Sequence, residues 1–263
     1  MLGAIVGDVI GSVHERARTK TKTFPLFTPE SRFTDDTVLT AAVADALLHG
    51  RDYVDSFHEY FAAYPDAGYG STFYMWALSR RRESYQSYGN GSAMRVSPVA
   101  YVGTTLEEVL AGAEKSAAVT HDHVEGIRGA QATAAAIFLA RTGGTKNEIR
   151  RYIETQFDYF LDETLDELRP TYPFDASCQR SVPQSIIAFL ESTDYGDAVR
   201  NAISLGGDAD TMACIAGAIA EPFCGGVPDA IAGPALATLD DHLRGVVTAF
   251  RERYGAPGAG QAR

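Results

Sequence analysis

The sequence predicts an all-α protein, a compact single domain of many helices. Apolar residues recur at three- and four-residue spacing along most of the chain, whereas alternating strand-like runs bounded by turns are almost absent. Ala and Gly are dense inside the helical stretches, which implies backbones that approach one another closely. The spacing predicts helices over 35–48, 53–63, 105–119, 123–142, 146–161, 181–192, 194–204, 210–221 and 228–253. The first of these follows "FTDDT" and carries Val38, Leu39, Ala42, Val43, Ala46 and Leu47 on one face. The segment 123–142 groups its alanines with Ile127, Ile137, Phe138 and Leu139 and is stopped by Gly143 and Gly144. No repeat of fixed period and no linker divides the chain, so residues 1–255 read as one domain. The Gly- and Ala-rich tail 256–263 is expected to be disordered.

Composition narrows the function classes. A chain of 263 residues with 45% hydrophobic and 22% charged residues has ample material for a core. No apolar run is long enough to span a bilayer, so no membrane role is expected. The start "MLGAIVGDVIGSVHE" lacks a basic n-region and contains Asp8 and Glu15, unlike a secretory signal. Cys178, Cys214 and Cys224 form no paired framework, which suits a reducing cytoplasm and buried thiols. A net charge of −11 argues against a broad nucleic-acid-binding surface. The run "ERARTKTK" is a local basic exception, readable as a solvated loop or as an attractor of phosphate-bearing ligands.

Two helix starts are unusually acidic. Thr34, Asp35 and Asp36 open one, and Asp208, Asp210 and Thr211 open another after the diglycine Gly206–Gly207. Each alone is an ordinary capping arrangement, with acids placed at the positive end of the helix dipole. Bringing both starts together would be unfavourable without a cation between them. Oxygen donors with no His or Cys suit Mg²⁺ or Mn²⁺ rather than zinc. Paired caps and a metal site both remain open on these residues. Between them lies "SYGNGSAMR" (87–95), where Gly89 and Gly91 allow close backbone approach and a helix start near Ser92 would add its positive end. A tight turn is the other reading of that loop.

Taken in order, "GAIVGDVIGSVHE" (3–15), "FTDDT" (33–37), "GYG" (68–70), "SYGNGSAMR" (87–95), "TH" (120–121), "SVP" (181–183) and "SLGGDADT" (204–211) resemble the motifs of the ADP-ribosylglycohydrolase family. The resemblance spans nearly the whole chain. It implies an all-α fold and a centre of two divalent cations, Mg²⁺ or Mn²⁺, held by Thr34, Asp35, Asp36, Asp208, Asp210 and Thr211. Asp210 would be shared between the ions, and Asp35, Asp210 and Glu15 would carry the chemistry. Glu15 matches a mobile glutamate of the family, which makes the basic segment after it a flexible flap. Gly70, Ser87, Tyr88, Gly89, Asn90, Gly91 and His121 would line the ligand. Tyr88 has the best claim to stack on it, whereas Tyr69 and Trp76 read as core aromatics.

The implied reaction releases ADP-ribose from an ADP-ribosylated protein or small-molecule conjugate, with nucleic acid expected only as an ADP-ribosylated substrate. The chain has Ala209 where the family often has threonine, and it is short for the family, which points to trimmed loops. Two rivals stand beside this reading. One is a family member that binds ADP-ribose without cleaving it. The other is an HD-type metal phosphohydrolase built on His121–Asp122 with His49 or His58.

Overall fold

The computed structural model describes residues 1–255, which hold fifteen helices and no strand. The first part of the chain forms α1 (Leu2–Gly11), α2 (Asp35–His49), α3 (Tyr53–Ala63), α4 (Ser71–Leu78) and the single turns α5 (Gly91–Met94) and α6 (Val99–Val102). Then come α7 (Leu106–Ala118), α8 (Val124–Arg141), α9 (Lys146–Phe157) and the short α10 (Leu165–Leu168). The last part holds α11 (Cys178–Leu190), α12 (Tyr195–Ile203), α13 (Ala209–Phe223), α14 (Asp229–Ala237) and α15 (Asp241–Tyr254). The tail at 256–263, expected to be disordered, lies outside the described residues.

At the centre α1 packs along α13. Every residue of α1 is buried, and α13 is buried from Ala209 to Ala220. A helix apolar on all sides belongs inside a protein. Three glycines at four-residue spacing let the two backbones touch. A β-carbon on Gly3 would stand 2.2 Å from the Gly217 carbonyl oxygen, one on Gly7 2.1 Å from the Ala213 oxygen, and one on Gly11 2.4 Å from Asp210 Cα. The start of α1 is held by Glu221 of α13, whose carboxylate accepts from the Met1 amine at 2.7 Å and from the Gly3 amide at 2.8 Å. Around this pair stand α8, α11 and α12 against α13 and α2 against α1, with α7 outside α8. No helix among the described residues is long and apolar enough to cross a membrane.

The all-α prediction holds, with differences that have local causes. Periodicity did not reveal α1, because a helix apolar all round has no polar face to set a period. The expected helix over 228–253 is two: α14 ends at Ala237, and Asp240 caps α15 by accepting from the Leu243 amide. The helix expected to reach residue 161 stops at Phe157, where Asp158 turns left-handed at φ 53°. The helix expected to start at residue 181 begins earlier, at Cys178. Cys178 and Cys214 are buried thiols as expected, whereas Cys224 is exposed at the C-terminal end of α13.

Because Gly7 abuts a carbonyl oxygen, Gly7→Ala should cost about 3 kcal/mol, the upper end for overpacking. That lowers Tm by about 6–12 °C for a chain of this size. Gly233, which has nothing within 4 Å of an added β-carbon, should tolerate alanine with a change under about 1 kcal/mol. Paired thermal melts of the two variants check the difference.

Candidate active site

One buried acid fixes the start of α2. Asp8, on α1, is wholly buried and accepts from the Thr34 amide at 2.9 Å, the Thr37 amide at 3.1 Å and the Thr37 hydroxyl through Oδ2. Its Oδ1 accepts from the Thr34 hydroxyl at 2.7 Å. With three donors on one oxygen, Asp8 anchors the helix start more than it offers an open ligand. Thr34 in turn caps α2 by accepting from the Asp36 amide, so the capping reading of "FTDDT" is also correct.

The two acidic helix starts meet. The Thr211 hydroxyl donates to Asp36 Oδ2 at 3.1 Å across the junction of α13 and α2. Carboxylate oxygens of Asp8, Asp36 and Asp210 lie within 4.8 Å of one another, and so do those of Glu15, Asp208 and Asp210. Asp210 is common to both groups. Asp35 belongs to neither, but lines the same cavity beside Gly68, where an added β-carbon would be 3.6 Å from Asp35 Oδ1. The cavity measures about 1110 Å³, and Glu15, Thr34, Asp35, Asp36, Asp208, Asp210 and Thr211 all line it.

Six carboxylates thus share one end of a cleft, and none pairs with a Lys, Arg or His among the described residues. Burial first, and then the charge of Asp210, push Asp8 up to about 7 and raise Asp35 and Asp36 well above the ordinary carboxylate range. Asp208 and, more mildly, Glu15 rise for the same two reasons. Asp36 Oδ1 is buried with no hydrogen-bond partner. An orphaned carboxylate oxygen among like charges, in a cluster of carboxylate and hydroxyl oxygens, suits a hard divalent cation.

The glycine loop joins this floor through Asn90, whose side-chain amide donates to Asp208 Oδ2 at 2.8 Å. The loop is stapled to residues 176–178: the Asn90 amide donates to Ala176 O at 2.8 Å and the Cys178 amide to Tyr88 O at 2.9 Å. The Gly89 amide is also taken, by Ser87 Oγ at 3.1 Å. The expected row of amides facing a phosphate is therefore partly engaged in holding the loop, and α5 is a single turn with little dipole of its own. Close approach is what survives of that expectation. A β-carbon on Gly91 would lie 3.2 Å from His121 Nε2, and neither Gly89 nor Gly91 has positive φ.

Gly70, Ser87, Gly89, Asn90, Gly91 and His121 all line the cavity. Tyr88 does not. It is 54% exposed, stands edge-on to His123, and faces an adjoining cleft shared with Phe174 and Arg180. Trp76 is buried against His58, and its indole N–H donates to Glu83 O at 2.9 Å. The basic segment after Glu15 is tied down where a free flap was expected. Lys20 donates to the carbonyls of Tyr172 and Leu205, Lys22 pairs with Asp197 at 2.5 Å, and Arg200 reaches the Lys22 and Phe24 carbonyls.

A family model described as ADP-ribosylglycohydrolase matches residues 1–233. The chain belongs to that family. It is 28% identical to human ADP-ribosylhydrolase ARH3, over 86% of this chain and 84% of the relative. Mouse ADP-ribosylhydrolase ARH3 is 27% identical, over 86% and 82%. In fold it is similar to a chain of an ADP-ribosylglycohydrolase-related protein complex, with a TM-score of 0.68 and 20% identity over 97% of both chains.

In this family member, the HD-type reading lacks its ligand set. Asp122 is held by the Ser84 hydroxyl at 2.5 Å, both His58 nitrogens face backbone carbonyls, and His49 pairs with Asp45 at 2.9 Å. Two residues escaped the sequence reading as site members. Asp8 is an acid inside an otherwise apolar run, a signal visible in "AIVGDVIG". Arg95 ends the glycine-loop motif and is completely buried beside the cavity.

The raised carboxyl groups give a pH signature. Their protonation stabilises the metal-free fold fully below the unfolded value near 3.8, and that stability is lost as pH climbs through about 7 for Asp8. A cation bound among these acids would take over at high pH, where protons no longer compete. Mn²⁺ at about a hundred times its Kd at pH 8 adds about 2.7 kcal/mol, a rise in Tm of about 5–10 °C. The same Mn²⁺ concentration should give a smaller rise at pH 5, and Asp36→Asn should shrink the rise at both. Thermal shift with and without Mn²⁺ across that range measures it.

Proposed function

We propose that the protein is a metal-dependent ADP-ribosyl hydrolase. The carrying observation is the set of six carboxylates without a cationic partner, five of which line a large cavity together with the glycine loop. Family membership and the ADP-ribosylhydrolase names of the curated relatives support the substrate class. Thr34, Asp35, Asp36, Asp208, Asp210 and Thr211 hold two divalent cations, Mg²⁺ or Mn²⁺, in this reading. Bound there, the cations would supply charge for the ribose hydroxyls and acidify a water.

The chain's own residues do the rest. Asp8 and Thr37 hold the start of α2 so that Thr34, Asp35 and Asp36 keep their places. Asn90 fixes Asp208 and so couples the acids to the ligand loop. Glu15, half-buried at the cleft with its pKa raised by burial and Asp210, accepts the proton of the attacking water at its carboxylate. The water oxygen bonds to the anomeric carbon of the distal ribose as the bond to the acceptor breaks. The proton passes on to the leaving acceptor. Substrates are ADP-ribosylated proteins or small conjugates, and ADP-ribose is the product. Three unpaired cysteines favour the cytoplasm as the site of action.

Hydrolysis across a panel of defined ADP-ribosyl linkages tests the reading directly. EDTA should abolish turnover and Mg²⁺ or Mn²⁺ restore it. Asp210→Ala should lose at least about 10²-fold in kcat, and Glu15→Gln about 10²-fold with ADP-ribose affinity retained. Asp122→Ala should stay near wild type. ADP-ribose binding with no turnover on any linkage would instead make the protein a binding module.

Gly91→Val pushes a side chain against His121. ADP-ribose affinity should fall about tenfold, ~1.4 kcal/mol, with metal content unchanged because the acids sit on other elements. Titration calorimetry with metal analysis reads both.

A further inference from the structure

Arg95 is a cation buried without an anion. It is 0% exposed, its guanidinium carbon lies 4.4 Å from the centre of the Phe57 ring, and the charged neighbours that act on it include no carboxylate. Nε and Nη1 have no hydrogen-bond partner among the described residues. Only Nη2 is engaged, donating to Ser116 O at 3.2 Å and to the Thr120 hydroxyl at 2.8 Å. Such a group is costly to keep, and its one side-chain hydrogen bond among the described residues leads towards the cavity.

Thr120 Oγ1 lies 2.7 Å from His121 Nδ1. Since that oxygen already accepts from Arg95, its own proton needs an acceptor; Nδ1 at 2.7 Å is in direct reach, and the Tyr85 hydroxyl, the other group beside Thr120, can itself donate. An imidazole nitrogen that accepts carries no proton, so the ring proton sits on Nε2. Nε2 has no hydrogen-bond partner among the described residues and faces the glycine loop, 3.2 Å from a β-carbon placed on Gly91 and 3.7 Å from one on Gly89. Burial, and then the Arg95 charge, lower the His121 pKa well below its ordinary value and keep the ring neutral.

We propose that Arg95 is a positioning residue that acts through Thr120 to fix His121 as the Nε2–H tautomer, an N–H donor to an acceptor oxygen of the ligand on the glycine loop. The identity of that ligand, ADP-ribose, rests on the hydrolase reading above; the tautomer does not. The opposite tautomer would set a nitrogen lone pair against the lone pairs of a phosphate or ribose oxygen.

Long-range ¹H–¹⁵N correlation spectra of the histidine-labelled full chain test this without ligand, the His121 peaks being assigned by their loss in His121→Gln. The expected result is a protonated Nε2 and a bare Nδ1. Thr120→Val keeps the shape but removes the hydroxyl. It should move His121 to a tautomer mixture and weaken ADP-ribose binding about tenfold, whereas Thr120→Ser restores both. Arg95→Met should also produce the mixture. A wild-type Nδ1–H tautomer, or a Thr120→Val protein with unchanged tautomer and affinity, overturns the proposal. An Nε2–H tautomer in a wild-type protein that fails to bind ADP-ribose supports the proposal and overturns the hydrolase reading instead.

Discussion

The contact of α1 with α13 through Gly3, Gly7 and Gly11 sets the rest of the structure. Backbone-to-backbone packing at those three positions brings the C-terminal end of α1 against the start of α13, so that Gly11 abuts Asp210. The same approach places Asp8 where it can hold Thr34 and Thr37, and therefore where α2 must begin. A side chain at any of the three glycines would separate the helices and with them the acids. The acidic cluster thus depends on residues that have no ligand chemistry of their own.

That arrangement runs against the usual economy of a core. Acids raised by burial and mutual repulsion, with Asp36 Oδ1 left unpartnered, weaken the fold unless something positive joins them. Functional sites are where such conflicts are retained. Here the apolar framework of α1 and α13, buried almost without interruption, supplies the stability that the site gives up.

The acids share the cavity with His121, Arg95 and the glycine loop. Burial lowers the His121 pKa, Arg95 is buried with Thr120 between it and His121, and the loop comes close to His121 at Gly89 and Gly91, which have no side chain. Asn90 is the one side-chain hydrogen bond joining the loop to the acids, through Asp208. A ligand with one anionic part and one hydroxyl-rich part, the division that an ADP-ribosyl group presents, would suit the site as proposed.

Periodicity was enough for most of the helices, since local spacing and caps such as Thr34 and Gly143 act within a turn or two of sequence. The two acidic starts and the glycine loop were also legible, because motifs are local strings. α1, apolar apart from Asp8, escaped, having no polar face to mark it. Single turns such as α6 are too short for a period, and the break at Asp240 was hidden by an unbroken apolar pattern. What tertiary structure alone decided is which atoms meet. It gave Asp8 to the start of α2, turned Tyr88 out to an adjoining cleft, tied Lys20 to Tyr172 and Leu205, and set Arg95 behind His121. Those contacts join residues up to 185 positions apart. They follow from how closely helices can pack, which depends on the facing helix and not on either string by itself.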